Sequence, residues 1–341
     1  MPKFEVRELT PAQFPLWDRF VAASPQGAIY SETLWLRAGL SPFRIFGCYK
    51  GDELVGGVAA LESADGRDLL PVAPLTPFQG ILFRDLRDSK LPARYSLEMQ
   101  ITQALLDVLE KRYRQVNLVH HYAYHDLRPF FFRTFGALDR YEVDVRYTLV
   151  VALNDLAAAW SAMDSNTHCE VHKAEKNQVR IEAGGDFECF LDMHRRTFER
   201  QGQEVDAPEE LIRGLYSALK NQERCRLYLA RLPSGQVTSG MLAIWDAKRA
   251  YYQMGASEPA YRNNGSASLV LWHAFQDLRT RLNLFELDMV GCNSPRRGAF
   301  KTGFGGQLRH YFALRLVRNA SPVSALQTAA CQMAAETVTD D

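Results

Sequence analysis

The segment Phe300-Lys301-Thr302-Gly303-Phe304-Gly305-Gly306 sets one lysine among aromatic rings and glycines. Glycines let backbone approach a ligand or take positive φ. A lysine fixed there is a point charge ready for a carbonyl oxygen or a phosphate. The plainer alternative is a glycine-cornered turn with a solvated lysine. Just upstream, Glu286 and Asp288 lie two apart in a strand-like run, so both project to one face. If that face is polar, one carboxylate could take a proton from an ammonium group, because only the neutral amine attacks a carbonyl. Asp288 stands nearer the glycine corner. If the face is covered, the acids must pair with cations such as Arg296 or Arg297, since burying them alone is costly. The loop between, with Asn293, Ser294, Arg296 and Arg297, offers hydrogen bonds to a substrate.

Two further segments carry chemistry. Arg262-Asn263-Asn264-Gly265-Ser266-Ala267 opens a helical run that reaches Leu282. Free amides at a helix N-terminus, with the positive end of the helix dipole, suit a phosphate; a capping turn built on Asn and Ser reads the same way. In Tyr251-Tyr252-Gln253-Met254, alternate residues point to opposite sides of a strand, so either Tyr251 or Tyr252 could face a cleft, with Tyr252 preferred; the rival reading is a plain amphipathic strand with one ring in the core.

The elements that must position these residues follow one order twice. In the first half, helices are expected over 12–23 and 31–39, strands over 43–49 and 54–61, a helix over 97–112 and a strand over 116–119. Lys50-Gly51-Asp52-Glu53 supplies the turn, and a proline-rich insert (Pro71, Pro74, Pro77) interrupts the plan. In the second half, helices are expected over 186–201 and 208–220, strands over 225–232, 237–245 and 249–256, a helix over 266–282 and a strand over 284–289. The repeat is one of pattern rather than of identity. A strand over 146–153 is expected to close the first sheet before Asn154-Asp155-Leu156 starts a helix. Ser321 before Pro322 reads as a further helix start.

Composition narrows the partners. The chain has 341 residues, enough for two domains, with 40 basic and 40 acidic side chains. A balanced charge gives no global field for DNA or an anionic membrane. No apolar run reaches the roughly 18–20 residues of a membrane span, and the first residues lack a signal-peptide pattern, so a cytoplasmic location is expected. Six scattered cysteines without a CxxC pair fit reduced thiols. His120, His121 and His125 form the histidine cluster; lacking acidic or thiol partners beyond Asp126, they are not expected to hold a metal.

Phe300-Lys301 followed by Phe304-Gly305-Gly306 resembles the closing signature of the Fem-type peptidyltransferases and their GNAT-like acyltransferase relatives. His125-Asp126-Leu127-Arg128-Pro129-Phe130, Arg146-Tyr147-Thr148, His172 to Val179 and His194 to Gly202 are similar to further segments of that family. The resemblance implies an α+β fold of two tandem GNAT-like lobes, each a mixed, mostly antiparallel sheet flanked by helices. It divides the chain into residues 1–153, a lobe without its own cofactor site; 154–318, the catalytic lobe; and 319–341, a helical tail. By the same likeness Lys301 stabilises the oxyanion, Arg262, Asn264, Gly265, Ser266 and Ala267 wrap the pyrophosphate of coenzyme A, and Tyr252 and Asp288 serve catalysis. Phe300, Asn293, Arg297, Arg128, Lys173 and Arg196 then face substrate, although solvated helix charges are the ordinary reading for the last three. The implied reaction moves an acyl group from acyl-CoA to an amine by direct attack, without metal, on a small-molecule or cell-envelope precursor such as an exopolysaccharide sugar. Aminoacyl-tRNA is the alternative donor, with a peptidoglycan precursor as acceptor. A non-catalytic ligand-binding module is the reading from another class.

Overall fold

The computed structural model describes residues 4–71, 73–133, 139–200 and 207–318. The helix expected from Ser321 and the tail 319–341 lie outside them. The first part of the chain forms β1 (Phe4–Glu8), α1 (Phe14–Ala23), α2 (Thr33–Ala38), β2 (Phe43–Lys50), β3 (Glu53–Leu61), β4 (Ile81–Phe83), α3 (Leu91–Arg112), β5 (Asn117–Val119), α4 (Arg128–Arg133) and β6 (Arg140–Ala152). Then come α5 (Leu156–Ser161), α6 (Ser165–Lys176), β7 (Arg180–Ala183), α7 (Phe187–Arg200), α8 (Glu209–Asn221), β8 (Cys225–Arg231), β9 (Val237–Trp245) and β10 (Ala250–Ser257). The described chain closes with α9 (Ser266–Thr280), β11 (Glu286–Asp288), α10 (Pro295–Thr302) and β12 (Gln307–Val317). The fold is α+β, with helices packed on mixed, mostly antiparallel sheets.

Among the described residues the strands form one sheet in the order β1-β2-β3-β4 and a larger one in the order β5-β12-β6-β11-β10-β9-β8-β7. One expectation is corrected here. The strand over 146–153 does not close the first sheet. As the end of β6 it lies inside the larger one, paired with β12 from Gln307↔Val150 to Val317↔Arg140 and with β11. Leu149, Val150 and Val151, near the C-terminal end of β6, are buried there.

Strand alternation sorts the two faces of the larger sheet. Tyr228, Met241, Ala243 and Leu287 join Val171 of α6 and Leu271 and Phe275 of α9 in one core. Leu227, Leu229, Leu242 and Tyr251 join Phe190 of α7 and Leu211 and Leu215 of α8 in another, which also takes in Tyr30, Trp35 and Phe78 from the first lobe. Helix α8 buries Leu211, Ile212, Leu215, Tyr216 and Leu219, an apolar stripe at helical spacing. Asp155 and Asp164 cap α5 and α6 by accepting amide hydrogen bonds in their first turns.

The feature that matters for function is a parting of strands. Strand β10 stays paired with β9 through Ser257, but its parallel pairing with β11 covers only Ala250↔Leu287 and Tyr251↔Asp288. The β9 ladder shifts register between Tyr252 and Met254, a bulge at Gln253. Beyond Tyr251 one side of β10 faces an opening.

Candidate active site

That opening is a cavity of about 580 Å³. Its walls are β10 from Tyr252 to Ser257, Ala267 and Val270 of α9, His194, Thr197 and Phe198 of α7, and Arg296, Arg297, Phe300 and Lys301 of α10. The first lobe adds Ala73 to Pro77 and Val119, and Arg146 comes from β6. The charged residues on this wall are Arg146, Arg296, Arg297 and Lys301, all basic.

Lys301 stands in the last turn of α10, not in a loop as its glycine neighbours suggest. Ser294 precedes Pro295 at the first helical position and starts this helix. The lysine is only 6% exposed. Its ammonium donates to the carbonyls of Gly291, at 2.7 Å, and Val290, and lies 5.4 Å from the ring centre of Tyr252. Two of three donors are thus spent on a corner where Val290 has φ +48° and Gly291 has φ +70°. The third remains for the cavity. Burial pushes the amine down to about 8, with the nearby Cys292 and Asp288 acting against it. At pH 7 it still carries its charge.

The glycines of the motif are structural. Gly305 (φ +73°) and Gly306 (φ +95°) turn the chain from α10 into β12, where a side chain would meet the Ala162 and Val150 carbonyls at 2.6 and 2.7 Å. Phe304 is fully buried against Phe275 and Phe300, and Phe300 reaches the cavity.

Asp288 departs from its expected place. Its face of the sheet is covered by the first lobe, and Asp288 is not on the cavity wall. One carboxylate oxygen accepts from the Thr148 hydroxyl and, at 2.8 Å, from the Val290 amide; the other is buried without a hydrogen-bond partner. Desolvation pushes this carboxyl up to about 6, with Thr148, Val290 and Arg249 opposing. It holds the Val290 corner from one side and Lys301 holds it from the other. Glu286 pairs with Arg249 at 3.3 Å and accepts from Tyr122 at 2.9 Å, not with Arg296 or Arg297.

Tyr252 lines the cavity as expected from alternation, whereas Tyr251 is buried on the opposite face and donates to Asp246. In the 262–267 segment, Ala267 alone reaches the wall. Gly265 takes φ +79°, and a side chain there would lie 1.9 Å from the Glu170 carbonyl oxygen of α6, so the position requires glycine on both counts. Asn264 caps the Ser266 amide at 2.9 Å, and the buried Ser266 accepts from Thr238 at 2.8 Å. Arg262 is exposed and off the wall. Ala267 belongs to the first turn of α9, whose amides lack intrahelical acceptors.

Of the other assigned side chains, Arg297 is on the wall, 5.9 Å from the Phe198 ring centre. Asn293 instead accepts from the Tyr147 amide at 2.7 Å. Arg128 is exposed and paired with Asp126, and Lys173 is exposed beside Glu170; neither lines the cavity. Arg196 pairs with Glu258 at 2.6 Å, at the end of β10 but off the wall. Sequence reasoning passed over His194, Thr197 and the 73–77 insert. For His194 a signal existed: it stands four residues from both Phe190 and Phe198, on the stripe of α7 that must face the sheet. Among the described residues no three histidine, cysteine or acidic side chains meet as a metal site, and no helix is long and apolar enough to cross a membrane.

Residues 137–301 match the family described as an acetyltransferase (GNAT) domain. This segment is a GNAT-type acyltransferase domain. The chain's fold is shared with a crystal structure of FemX, at 14% identity and TM-score 0.63, covering 90% of this chain and 96% of that one. A tandem GNAT protein from the clavulanic acid biosynthesis pathway aligns at 11% identity and TM-score 0.53, covering 94% and 99%. L-PGS from Bacillus licheniformis aligns at 10% identity and TM-score 0.51, covering 94% and 95%. No curated protein matches the acyltransferase significantly in sequence. The parted strands β10 and β11 and the helix start at Gly265 lie inside the matched segment, and so does Lys301 at its end.

Proposed function

We propose that this acyltransferase moves an acyl group from acyl-CoA to an amine by direct attack. The observation that carries the reading is the cavity at the parting of β10 and β11, whose charged wall residues are all basic. Such a wall suits a phosphate-bearing donor. In this reading Ala267 and the first turn of α9 meet the donor phosphates, with Arg296 and Arg297 across the cavity. The amine nitrogen bonds to the thioester carbon, and the oxyanion so formed meets the free donor of Lys301. His194, the wall imidazole, accepts the amine proton; the C–S bond then breaks. Tyr252, pushed up to about 12 by burial, stays protonated and supplies the thiolate with its proton. Asp288 acts as a positioning residue for the Val290 corner, not as the base.

Residues 1–153 and 154–318 are then two lobes, the second holding the reaction and the first lending the 73–77 wall. The likeness to FemX supports an amine-bearing small molecule or cell-envelope precursor as acceptor, and a coenzyme A donor fits a cytoplasmic location. Melting temperature measured with coenzyme A tests the donor: ligand at 100 times its Kd stabilises by about 2.7 kcal/mol. No shift at millimolar coenzyme A, together with aminoacyl transfer from charged tRNA, would replace this donor by aminoacyl-tRNA.

A further inference from the structure

The insert that interrupts the first lobe makes a turn of unusual composition at the cavity. The Thr76 amide donates to the Ala73 carbonyl at 3.1 Å, closing Ala73-Pro74-Leu75-Thr76, and Leu75 adopts φ +61°. With proline at the second position and positive φ at the third, this is the pattern in which glycine is expected third. A leucine there is strained, by an amount that a fold persists with only when its surroundings over-determine it. The surroundings do so. The Leu75 carbonyl accepts from Gln253 Nε2 at 2.8 Å, and Gln253 Oε1 accepts from the Tyr30 hydroxyl at 2.7 Å. Thr76 is buried and accepts from the Trp35 indole at 3.0 Å. Glycine would make the same turn without strain, but it would leave the cavity without this side chain.

We propose that Leu75 is a specificity-determining residue: with Pro77, Val119 and Met254 it forms an apolar wall that selects acceptor amines carrying an apolar group. All four residues line the cavity, Leu75, Pro77 and Val119 from the first lobe and Met254 from β10 facing them. Gln253, at the bulge of β10, is the positioning residue that ties this wall to the strand presenting the donor. The proposal rests on the acyltransferase reading above and names its acceptor class.

The test uses the full chain with Leu75→Gly and Leu75→Ala, phenylethylamine as the apolar amine and glucosamine as the polar one. Calorimetric binding of phenylethylamine without any donor is read first, then thiol release from acetyl-CoA with each amine. Both variants should weaken phenylethylamine binding about tenfold, with kcat/KM for this amine falling alike through KM, while glucosamine changes less than twofold. Their stabilities should differ: Leu75→Gly relieves the backbone and melts above Leu75→Ala. Unchanged phenylethylamine affinity in both variants, or no binding to the wild type, overturns the proposal. An equal loss for both amines overturns it too, since that is what a purely structural leucine would give. If phenylethylamine binds as expected but no thiol is released with either amine, the wall stands and the acyl-CoA reading fails.

Discussion

Replacing Lys301 by methionine keeps the length of the stem and removes the charge, and its two consequences have different sizes. The carbonyls of Val290 and Gly291 lose their donor, which costs roughly 1–3 kcal/mol for each acceptor left unpaired. Against this, the buried ammonium is itself unfavourable: its fall from 10.5 to about 8 corresponds to about 3 kcal/mol at neutral pH. The terms largely offset, so urea unfolding at pH 7 should move by less than about 3 kcal/mol. Turnover should not be spared. Loss of one preorganised donor to an oxyanion costs about 10²–10³ in kcat. The assay is thiol release from acetyl-CoA at saturating amine, normalised to folded protein by circular dichroism. Wild-type kcat should also fall above about pH 8 as the ammonium loses its proton, a limb that the variant lacks. A folded variant retaining more than a tenth of wild-type kcat would refute the oxyanion role and leave Lys301 as a clamp on the Val290 corner.

Asp288→Asn tests the buried carboxyl. The folded state holds this proton more tightly than the unfolded chain, so the contribution is complete below about pH 4 and lost as pH rises through about 6. The variant should therefore be more stable than wild type at pH 7–8, by up to roughly 3 kcal/mol, with the gap vanishing near pH 4 in urea titrations. Gly265→Ala places a side chain against the Glu170 carbonyl at positive φ and should lose more than about 2 kcal/mol by thermal unfolding. Arg296→Ala combined with Arg297→Ala should raise the KM for acetyl-CoA about tenfold and flatten its dependence on salt, without lowering the melting temperature, because both side chains are exposed.

Much of the second lobe was legible because its signals are local. Pro233-Ser234-Gly235-Gln236 marks the turn between β8 and β9, and the alternation of Leu227, Tyr228 and Leu229 sorts their faces. Helix α10 was hidden by Gly298 and Gly303, which lower helix propensity, although Ser294-Pro295 is the same start signal read at Ser321-Pro322. The burial of Asp288 was not legible, since what covers it comes from Tyr30, Phe78 and Tyr122, more than 150 residues away in sequence. Two acids on one strand face say nothing of what packs over it. Leu75 argues against its own conformation, as leucine is a poor choice for positive φ. A strained position of that kind becomes visible only once the backbone is seen.

The long pairing of β6 with β12 carries a consequence for synthesis. Strand β6 is complete at Ala152, but its longer partner begins only at Gln307, about 150 residues later. At a translation rate of roughly 5–20 residues per second, β6 waits about 10–30 s with one edge bare. Its other neighbour, β11, covers just Val150 to Ala152 and also arrives late. Throughout that interval a nascent chain displays a template that any other extended strand can copy. Ribosome stalling or truncation before Gln307 would make this edge permanent, so shortened products should partition to chaperones or aggregates rather than persist as a half-built enzyme.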